Sequence, residues 1–184
     1  MDRRVKYTKK IIKETFIELL QEKDINKITI SELCAKCDIN RATFYRYYLD
    51  IYDLLEKIEQ ELIDELKELL LTYKNYSIKD LIKEYLKVVL ENKNLIKVLF
   101  TNSKNLYFLN GFIEFFYENC KSKLFDVVSN QSENEKTIGS IFVVNGTLGI
   151  INYWVQNDFE EDIESLSDTI NKISYYGLSK YKNN

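Results

Sequence analysis

The stretch from Thr29 to Tyr48 constrains the fold of this chain more than any other part of its sequence. Thr29 and Glu32 have the spacing of a capping box, in which two side chains satisfy free backbone N–H groups at the start of a helix. Apolar residues then recur with helical periodicity and predict one buried face: Ile30, Leu33, Cys34 and Cys37. A short helix is therefore expected directly after Thr29.

A tight turn and a second helix are expected next. Asp38 falls where the first helix must stop, and Asp tolerates the left-handed backbone that such a stop often needs. Asn40 can cap the next helix, which we expect to run from Arg41 to Tyr48. Its side chains suit phosphates and base edges: Arg41, Thr43, Tyr45, Arg46 and Tyr47. The pattern predicts a helix-turn-helix, whose second helix enters the major groove of DNA.

The segment from Cys37 to Tyr48, CDINRATFYRYY, resembles the DNA-reading segment of TetR-type (TetR/AcrR) transcriptional regulators. Several positions agree with the family pattern, with Asn in place of Ser as the helix cap: Ile39, Asn40, Thr43, Phe44 and Tyr45. Others depart from it: Asp38 stands for Gly, Tyr47 for His and Tyr48 for Phe. The resemblance covers the beginning of the chain, with a looser likeness towards its end.

The resemblance implies that the second helix lies in the major groove of each operator half-site. Arginines there suit bidentate contact to guanine or neutralisation of phosphate, and a helix N-terminus favours phosphate. The predicted DNA contacts are Lys27, Thr29, Arg41, Ala42, Thr43, Tyr45, Arg46 and Tyr47. Phe44 and Tyr48 are expected in the core of the head. The family also implies a homodimer on a near-palindromic operator, because a single head reads few base pairs.

Composition extends the prediction to the whole chain. The sequence has no Pro, 5 Gly and 45% hydrophobic residues, which favours an all-α protein. We expect residues 1–49 to form a three-helix DNA-binding head. A long helix capped by Asp50 would join it to an effector-binding and dimerising helical bundle, residues 50–184. The formal charge is −3, but residues 1–50 carry 11 Lys and Arg against 8 Asp and Glu, so the basic excess lies where phosphate would be met.

Local signals set two further boundaries. Thr8 is a suitable cap for the first helix, which leaves residues 2–7 as a basic arm that can lie along or in the minor groove. The polar run over residues 129–135 predicts a loop.

Aromatic residues in the body are candidates for an effector cavity. In TetR-type proteins an inducer binds the helical body and changes the spacing of the heads, which requires different affinities for two states. The side chains that could line such a cavity are Tyr85, Phe100, Phe108, Phe112, Phe116 and Trp154. Each is also consistent with ordinary core. A chain without His favours an apolar or aromatic effector over a metal or a highly charged one.

No charged residue occurs between Lys136 and Asp158, so this stretch is consistent with a dimer seam, an internal core helix or a membrane span. Its amide side chains argue against a membrane span. Small residues near one face would let a second helix approach, so the dimer seam is the preferred interpretation. The predicted interface consists of Gly139, Gly146, Gly149, Tyr153, Leu166, Ile170, Ile173 and Gly177.

Other functional classes are disfavoured. Cys34 and Cys37 have the spacing of a metal or redox pair, but both fall on an apolar helix face and no His completes a zinc site. We therefore expect buried thiols, no cofactor and no enzymatic activity, since the chain has no nucleophile–base pair or phosphate loop. The N-terminus lacks the apolar run of a secretion signal, which predicts a cytoplasmic protein. The leading prediction, implied by the resemblance, is a ligand-responsive repressor that binds operator DNA. The alternative is a ligand-independent architectural or partner-binding protein of the same fold.

Overall fold

The structure is a computed structural model and describes residues 3–72, 77–101, 113, 117 and 132–179. All regular secondary structure in these residues is helical, which confirms the all-α prediction. The helices are α1 (Arg3–Glu22), α2 (Ile30–Lys36), α3 (Arg41–Tyr45), α4 (Ile51–Thr72), α5 (Ile78–Glu91), α6 (Lys93–Thr101), α7 (Glu133–Gln156) and α8 (Ile163–Ser179), with a 3₁₀ turn at Ile25–Lys27.

The chain forms two compact units, Met1–Asp64 and Glu65–Asn184, which we call the head and the body. The boundary falls inside α4, whereas the sequence placed it at residues 49 and 50. The first turns of α4 belong to the head because their apolar side chains, at Ile51, Leu54 and Ile58, are buried. An aliphatic stripe on a long helix does not reveal at which turn its packing partners change.

The head has an apolar core contributed by every one of its helices. The buried side chains are Ile12, Phe16, Leu19 and Leu20 of α1, Leu33 and Cys34 of α2, Phe44 of α3, and Ile51, Leu54, Ile58 and Leu62 of α4. This arrangement confirms the predicted three-helix head and buries the apolar face of each helix-turn-helix segment. The polar side chains of α3 are left outside.

α1 begins at Arg3, so the prediction of a non-helical arm over residues 2–7 is wrong for residues 3–7. Thr8 lies inside the helix, where its hydroxyl donates to the carbonyl oxygen of Arg4 at 2.9 Å instead of capping the first turn. Nothing in this stretch breaks a helix, since it contains neither Gly nor Pro. The basic side chains near the N-terminus therefore project from a regular helix.

Glu59 is a buried carboxyl on α4, next to the apolar stripe. Its side chain is 8% exposed, and its Oε1 has no hydrogen-bond partner among the residues the structure describes. Burial, and secondarily the charge of Glu56, raises the pKa of the Glu59 carboxyl to about 7. The Glu59 carboxyl therefore changes from protonated to ionised near neutral pH instead of in acid.

In the body, α5 and α8 are joined by apolar contacts and a cluster of ion pairs. Lys79 pairs with Asp168 at 2.6 Å and with Glu164 at 3.4 Å, and Lys83 also pairs with Glu164. Hydrogen bonds from these lysines lower the pKa values of both carboxyls. Because the groups are largely exposed, the cluster favours one alignment of the two helices more than it adds stability.

α7 starts with a capping box that the sequence analysis missed. The Ser132 hydroxyl accepts a hydrogen bond from the backbone N–H of Glu135, whose carboxylate accepts one from the backbone N–H of Ser132. These bonds also lower the pKa of the Glu135 carboxyl. The predicted loop over residues 129–135 is therefore wrong from Glu133 onward, since the Ser-x-x-Glu spacing there marks a helix start.

α7 has two apolar faces. One face is buried in the body through Ser140, Val144, Ile151, Trp154 and Val155. The opposite face is exposed, with large side chains and two glycines at helical spacing: Ile138, Ile141, Phe142, Gly146, Gly149 and Tyr153. By length and composition alone this helix could cross a membrane, but its inner face packs as a core helix does.

The corner between α7 and α8 is built around Trp154. The Trp154 indole N–H donates to the carbonyl oxygen of Glu161 at 2.9 Å, and its ring meets that of Phe159 edge-on at 5.0 Å. Asp158 and Phe159 adopt left-handed backbone, with φ of 54° and 61°. Left-handed backbone is unfavourable for a bulky residue such as Phe, so tertiary contacts must hold this turn in place.

Candidate nucleic-acid interface

The first helix of the motif, α2, is fixed at both ends of its first turn. The Thr29 hydroxyl accepts a hydrogen bond from the backbone N–H of Glu32 at 3.2 Å, which confirms the Thr29 half of the predicted capping box; the reciprocal half is wrong, because the Glu32 carboxylate is turned to Lys23. The Glu32 carboxylate pairs with Lys23 at 2.5 Å, and this bond is the main reason that its pKa is lowered. α2 is thus tied to the end of α1 as well as capped.

The turn between α2 and α3 has the backbone that the sequence predicted. Asp38 adopts a φ of 52°, and the backbone N–H of Ile39 donates to the carbonyl oxygen of Cys34 at 3.0 Å. Asn40 Oδ1 then accepts hydrogen bonds from the backbone N–H and the hydroxyl of Thr43, at 2.7 and 3.0 Å. Local polar chemistry therefore sets the direction in which α3 leaves the turn.

Cys34 and Cys37 lie on the inner face of this motif, as predicted. Both are buried, and burial raises the pKa of each thiol, so both are protonated thiols at neutral pH. Within the described residues no group of three His, Cys, Asp or Glu side chains is arranged to hold a metal ion.

α3 separates its core residues from its polar ones. Phe44 is fully buried, whereas Tyr45 is 54% exposed and meets the Phe44 ring edge-on at 5.7 Å. Arg41 Nη2 donates to the Ser31 hydroxyl, which ties the start of α3 to α2. Arg46, at the end of α3, is exposed. A short helix thus presents arginine and tyrosine side chains from a fixed backbone, the arrangement that groove reading requires.

α3 ends three residues earlier than predicted. The backbone N–H of Tyr47 bonds to the Phe44 carbonyl at 2.9 Å, which tightens the last turn and ends the regular helix at Tyr45. Tyr48 is 5% exposed, as expected for a core residue, and burial raises the pKa of its hydroxyl to about 12. The aromatic run therefore divides into an exposed tyrosine, a half-buried one and a buried one.

Lys57 of α4 fixes the segment after α3. Its ammonium donates to the Tyr47 carbonyl at 3.1 Å, pairs with Asp53 at 2.8 Å and lies 5.4 Å from the centre of the Tyr48 ring. Asp53 in turn accepts the backbone N–H of Leu49 at 2.8 Å. The lysine bond is the main cause of the lowered pKa of Asp53, which keeps this contact ionised.

All eight predicted DNA contacts lie in the head, and the exposed ones are Lys27, Thr29, Arg41, Ala42, Tyr45 and Arg46, with Thr43 and Tyr47 half-buried. Tyr52, which was not among the predicted contacts, is also exposed in the head, at 56%, and donates its hydroxyl to Asn26 at 2.6 Å, one residue before Lys27.

An open groove of about 520 Å³ lies between α1 and the turn–α3 segment of the head, and we call it the head groove. Its walls are formed by Arg4, Val5 and Thr8 of α1, by Asp38, Ile39 and Asn40 of the turn, and by Thr43, Arg46 and Tyr47. The Lys9 ammonium lies 5.7 Å from the centre of the Tyr47 ring, which joins α1 to the same region. Predicted DNA contacts and α1 thus share one concave surface.

The other predicted sites lie in the body. Of the proposed effector residues, Tyr85 and Trp154 are buried and Phe100 is half-buried, while Phe108, Phe112 and Phe116 lie outside the described residues. Of the proposed interface residues, those exposed are Gly146, Gly149, Tyr153, Ile173 and Gly177. Gly139 is half-buried, and Leu166 and Ile170 are core residues of the body, because they lie on the face of α8 that packs inward.

Comparison with known proteins relates both the N-terminal and the C-terminal part of the chain to one family. The family model described as "Bacterial regulatory proteins, tetR family" matches residues 12–58, and one described as "Transcriptional regulator C-terminal region" matches residues 76–176. The uncharacterized HTH-type transcriptional regulator YxbF of Bacillus subtilis (strain 168) is 41% identical over 71 residues. That match covers 36% of this chain and 19% of YxbF, so the chain spans only a small part of that relative's length.

Two solved structures share the fold over nearly the whole chain. The dihydroxyacetone kinase operon activator DhaS has a TM-score of 0.68 and 23% identity, over 94% of this chain and 97% of that one. A TetR transcriptional regulator from Streptococcus agalactiae 2603V has the same TM-score and identity, over 94% of this chain and 96% of its own. At this level of identity the likeness extends to the fold alone.

Proposed function

Because the chain belongs to the TetR family of bacterial regulatory proteins, we propose that it acts as a ligand-responsive repressor that binds a near-palindromic operator as a homodimer. Family membership makes it a DNA-binding transcriptional regulator; the operator symmetry, the dimer, the effector and the sign of regulation are our proposal. One observation carries it: a capped α3 presents exposed Arg41, Tyr45 and Arg46 from a helix anchored by the buried Phe44.

The head supports a division of labour between its polar residues. Arg41 and Arg46 supply planar donors that suit guanine edges or phosphate oxygens. Thr29, which caps α2, suits phosphate because the free backbone N–H groups there favour anions, and Lys27, in the 3₁₀ turn just before it, adds a positive charge. Tyr45 and Tyr47 suit the sugar-phosphate backbone. Contacts to phosphate and sugar position the head on DNA, and contacts from the arginines to guanine edges select the sequence.

The exposed face of α7 supports the dimer. Side chains as large as Phe142, which is 65% exposed, and Ile138 alternate there with two glycines that leave room for a second helix. An exposed apolar stripe of this kind is costly in water unless it is covered, and a second copy presents a matching stripe. Two heads in one dimer would then read two half-sites about one helical turn apart or more.

Repression by effector release is the regulatory form we propose. A dimer that occupies an operator excludes other proteins from that DNA, and an effector that binds the body better in the released state shifts the population away from DNA. In the described part of the body, the aromatic residues we propose for such a cavity are the buried Tyr85 and Trp154 and the half-buried Phe100. DhaS is named an operon activator, so a reporter gene measured with and without the regulator decides the sign for this chain.

The test of DNA reading is Arg46→Ala in fluorescence-anisotropy titrations. The probes are DNA from upstream of the protein's own gene and a scrambled copy, each titrated over a salt series. Loss of a base contact should cost about 1–3 kcal/mol on the operator, and loss of a phosphate contact should reduce the salt slope by about 1. The melting temperature should hardly change, because Arg46 is exposed.

Lys36→Ala is the matched control, since it removes one positive charge from an exposed position at the C-terminal end of α2, outside the head groove, where Lys36 pairs with Glu22. Equal effects of the two variants would contradict a specific role for Arg46. A wild-type protein that binds both DNAs equally and weakly would contradict the proposed operator recognition.

A further inference from the structure

The N-terminal turns of α1 add a basic side chain to the surface that carries α3. Arg4 and Thr8 form one wall of the head groove, and Thr43 and Arg46 form part of the opposite wall. An extended arm could reach into a minor groove, but residues 3–7 are helical and present Arg4 from a regular backbone. A helical segment at residues 3–7 therefore suits contact with the DNA backbone beside α3 better than insertion into a minor groove.

The position of Arg4 is fixed by packing further along α1. Ile12, Phe16 and Leu19 are fully buried in the head, so the helix that carries Arg4 is part of the core. The Lys9 ammonium lies over the Tyr47 ring, which links the preceding turns of α1 to the end of the motif. A side chain on such a support loses little additional backbone freedom when it binds.

The charges and donors of the head groove favour a polyanion. Two arginines, Arg4 and Arg46, line it with a single carboxylate, Asp38, and the polar side chains of Asn40 and Thr43 also line it. Arginine pairs with phosphate through two parallel hydrogen bonds, and the groove borders Thr43 and Arg46 of the segment proposed to enter the major groove. One sugar-phosphate strand is the occupant that fits this chemistry.

We propose that Arg4 contacts a phosphate on the DNA strand that runs along the head groove, which makes α1 a third DNA-contacting element beside α2 and α3. The inference rests on the proposed DNA-binding function and adds a contact to it. Arg4 carries no base reading, so its contribution is the same on any DNA sequence. It sets affinity and register, while α3 sets the sequence.

The experiment compares Arg4→Gln with wild type on the operator and on scrambled DNA across a salt series. Gln keeps a helix-forming side chain of similar reach without the charge. The expected result is a salt slope smaller by about 0.9, so that the affinity lost between 50 and 200 mM salt is about threefold less than for wild type. Both DNAs should show the same change, and Arg4→Lys should restore the wild-type slope.

Lys10→Gln is the matched control, because Lys10 is an exposed cation of α1 that does not line the head groove and pairs with Glu14 at 3.7 Å. If Arg4→Gln changes the slope no more than Lys10→Gln does, the inference is overturned. Loss of binding to the operator alone, with scrambled DNA unaffected, would also overturn it, since Arg4 would then be reading bases.

The outcome for Arg46→Ala separates this inference from the proposed function. If that variant weakens operator binding while Arg4→Gln does not, only the role of Arg4 is rejected. If wild type shows no preference for the operator, the proposed function is rejected. Circular dichroism melting of each variant identifies any change that comes from the fold.

Discussion

Glu59→Gln should make the head more stable at neutral pH than the natural side chain does. The Glu59 carboxyl is buried, its Oε1 has no hydrogen-bond partner among the described residues, and its pKa rises from 4.5 to about 7. Gln has nearly the same shape as Glu but carries no charge, so its burial does not require a charged group to lose its hydration. The comparison therefore isolates the cost of ionising a buried carboxyl.

The sign follows from proton linkage. Between pH 4.5 and 7 the folded head keeps the Glu59 proton while the unfolded chain releases it, so the free energy of unfolding falls as pH rises through this range. Above pH 7 the loss is complete, and it amounts to about 3 kcal/mol at 1.36 kcal/mol for each pH unit between the two pKa values. The advantage of Glu59→Gln over wild type should grow by about 2.5 kcal/mol between pH 5 and pH 8.

Urea unfolding followed by far-ultraviolet circular dichroism at pH 5, 6, 7 and 8 measures this difference. Subtracting wild type from variant at each pH removes the opposite trend of carboxyls with lowered pKa values, such as Glu32 and Asp53, whose stabilisation is lost in acid. Glu68→Gln, at an exposed site on the same helix, controls for the loss of one negative charge from α4. A stability difference that stays constant over these four pH values would refute the reasoning and mean that Glu59 ionises in the folded protein as it does in water.

Two further substitutions test the DNA surface and the subunit interface. Asp38→Asn keeps a residue that tolerates the left-handed φ of 52° and removes the carboxylate from the head groove. It should therefore tighten binding to operator and scrambled DNA alike by severalfold, as measured by fluorescence anisotropy. Weaker binding would mean that Asp38 makes a favourable contact. Gly146→Leu should weaken dimerisation in sedimentation experiments without unfolding the protomer, since a Cβ at Gly146 meets no atom within 4 Å; an intact dimer would place the interface elsewhere.

The local chemistry of the motif was readable from the sequence. Thr29, Asn40 and Asp50 cap helices through bonds to residues only a few positions away, and Asp38 provides the left-handed turn within the same short segment. Such contacts depend on side-chain type and spacing alone. The burial of Phe44 was expected from the family resemblance, in which an apolar residue stands at this position.

Features that depend on tertiary packing were not readable. Arg4 becomes a groove residue because α1 extends to Arg3 and packs beside the turn; the absence of Gly and Pro permits the first, but no local signal indicates the second. Leu166 and Ile173 both fit the apolar pattern of α8, but the first is in the core and the second is exposed. Periodicity identifies an apolar helix without stating which of its faces meets the rest of the chain.

The corner built around Trp154 gives the protein an intrinsic optical probe. Trp154 is the only tryptophan in the chain, and it lies fully buried in the body, against Phe159. The emission of Trp154 should shift to longer wavelength when the α7–α8 corner opens. The head contains no tryptophan, so its melting gives no tryptophan fluorescence change. Fluorescence therefore follows the body and circular dichroism follows all helices, so any gap between the two unfolding curves measures how independently the DNA-binding unit melts.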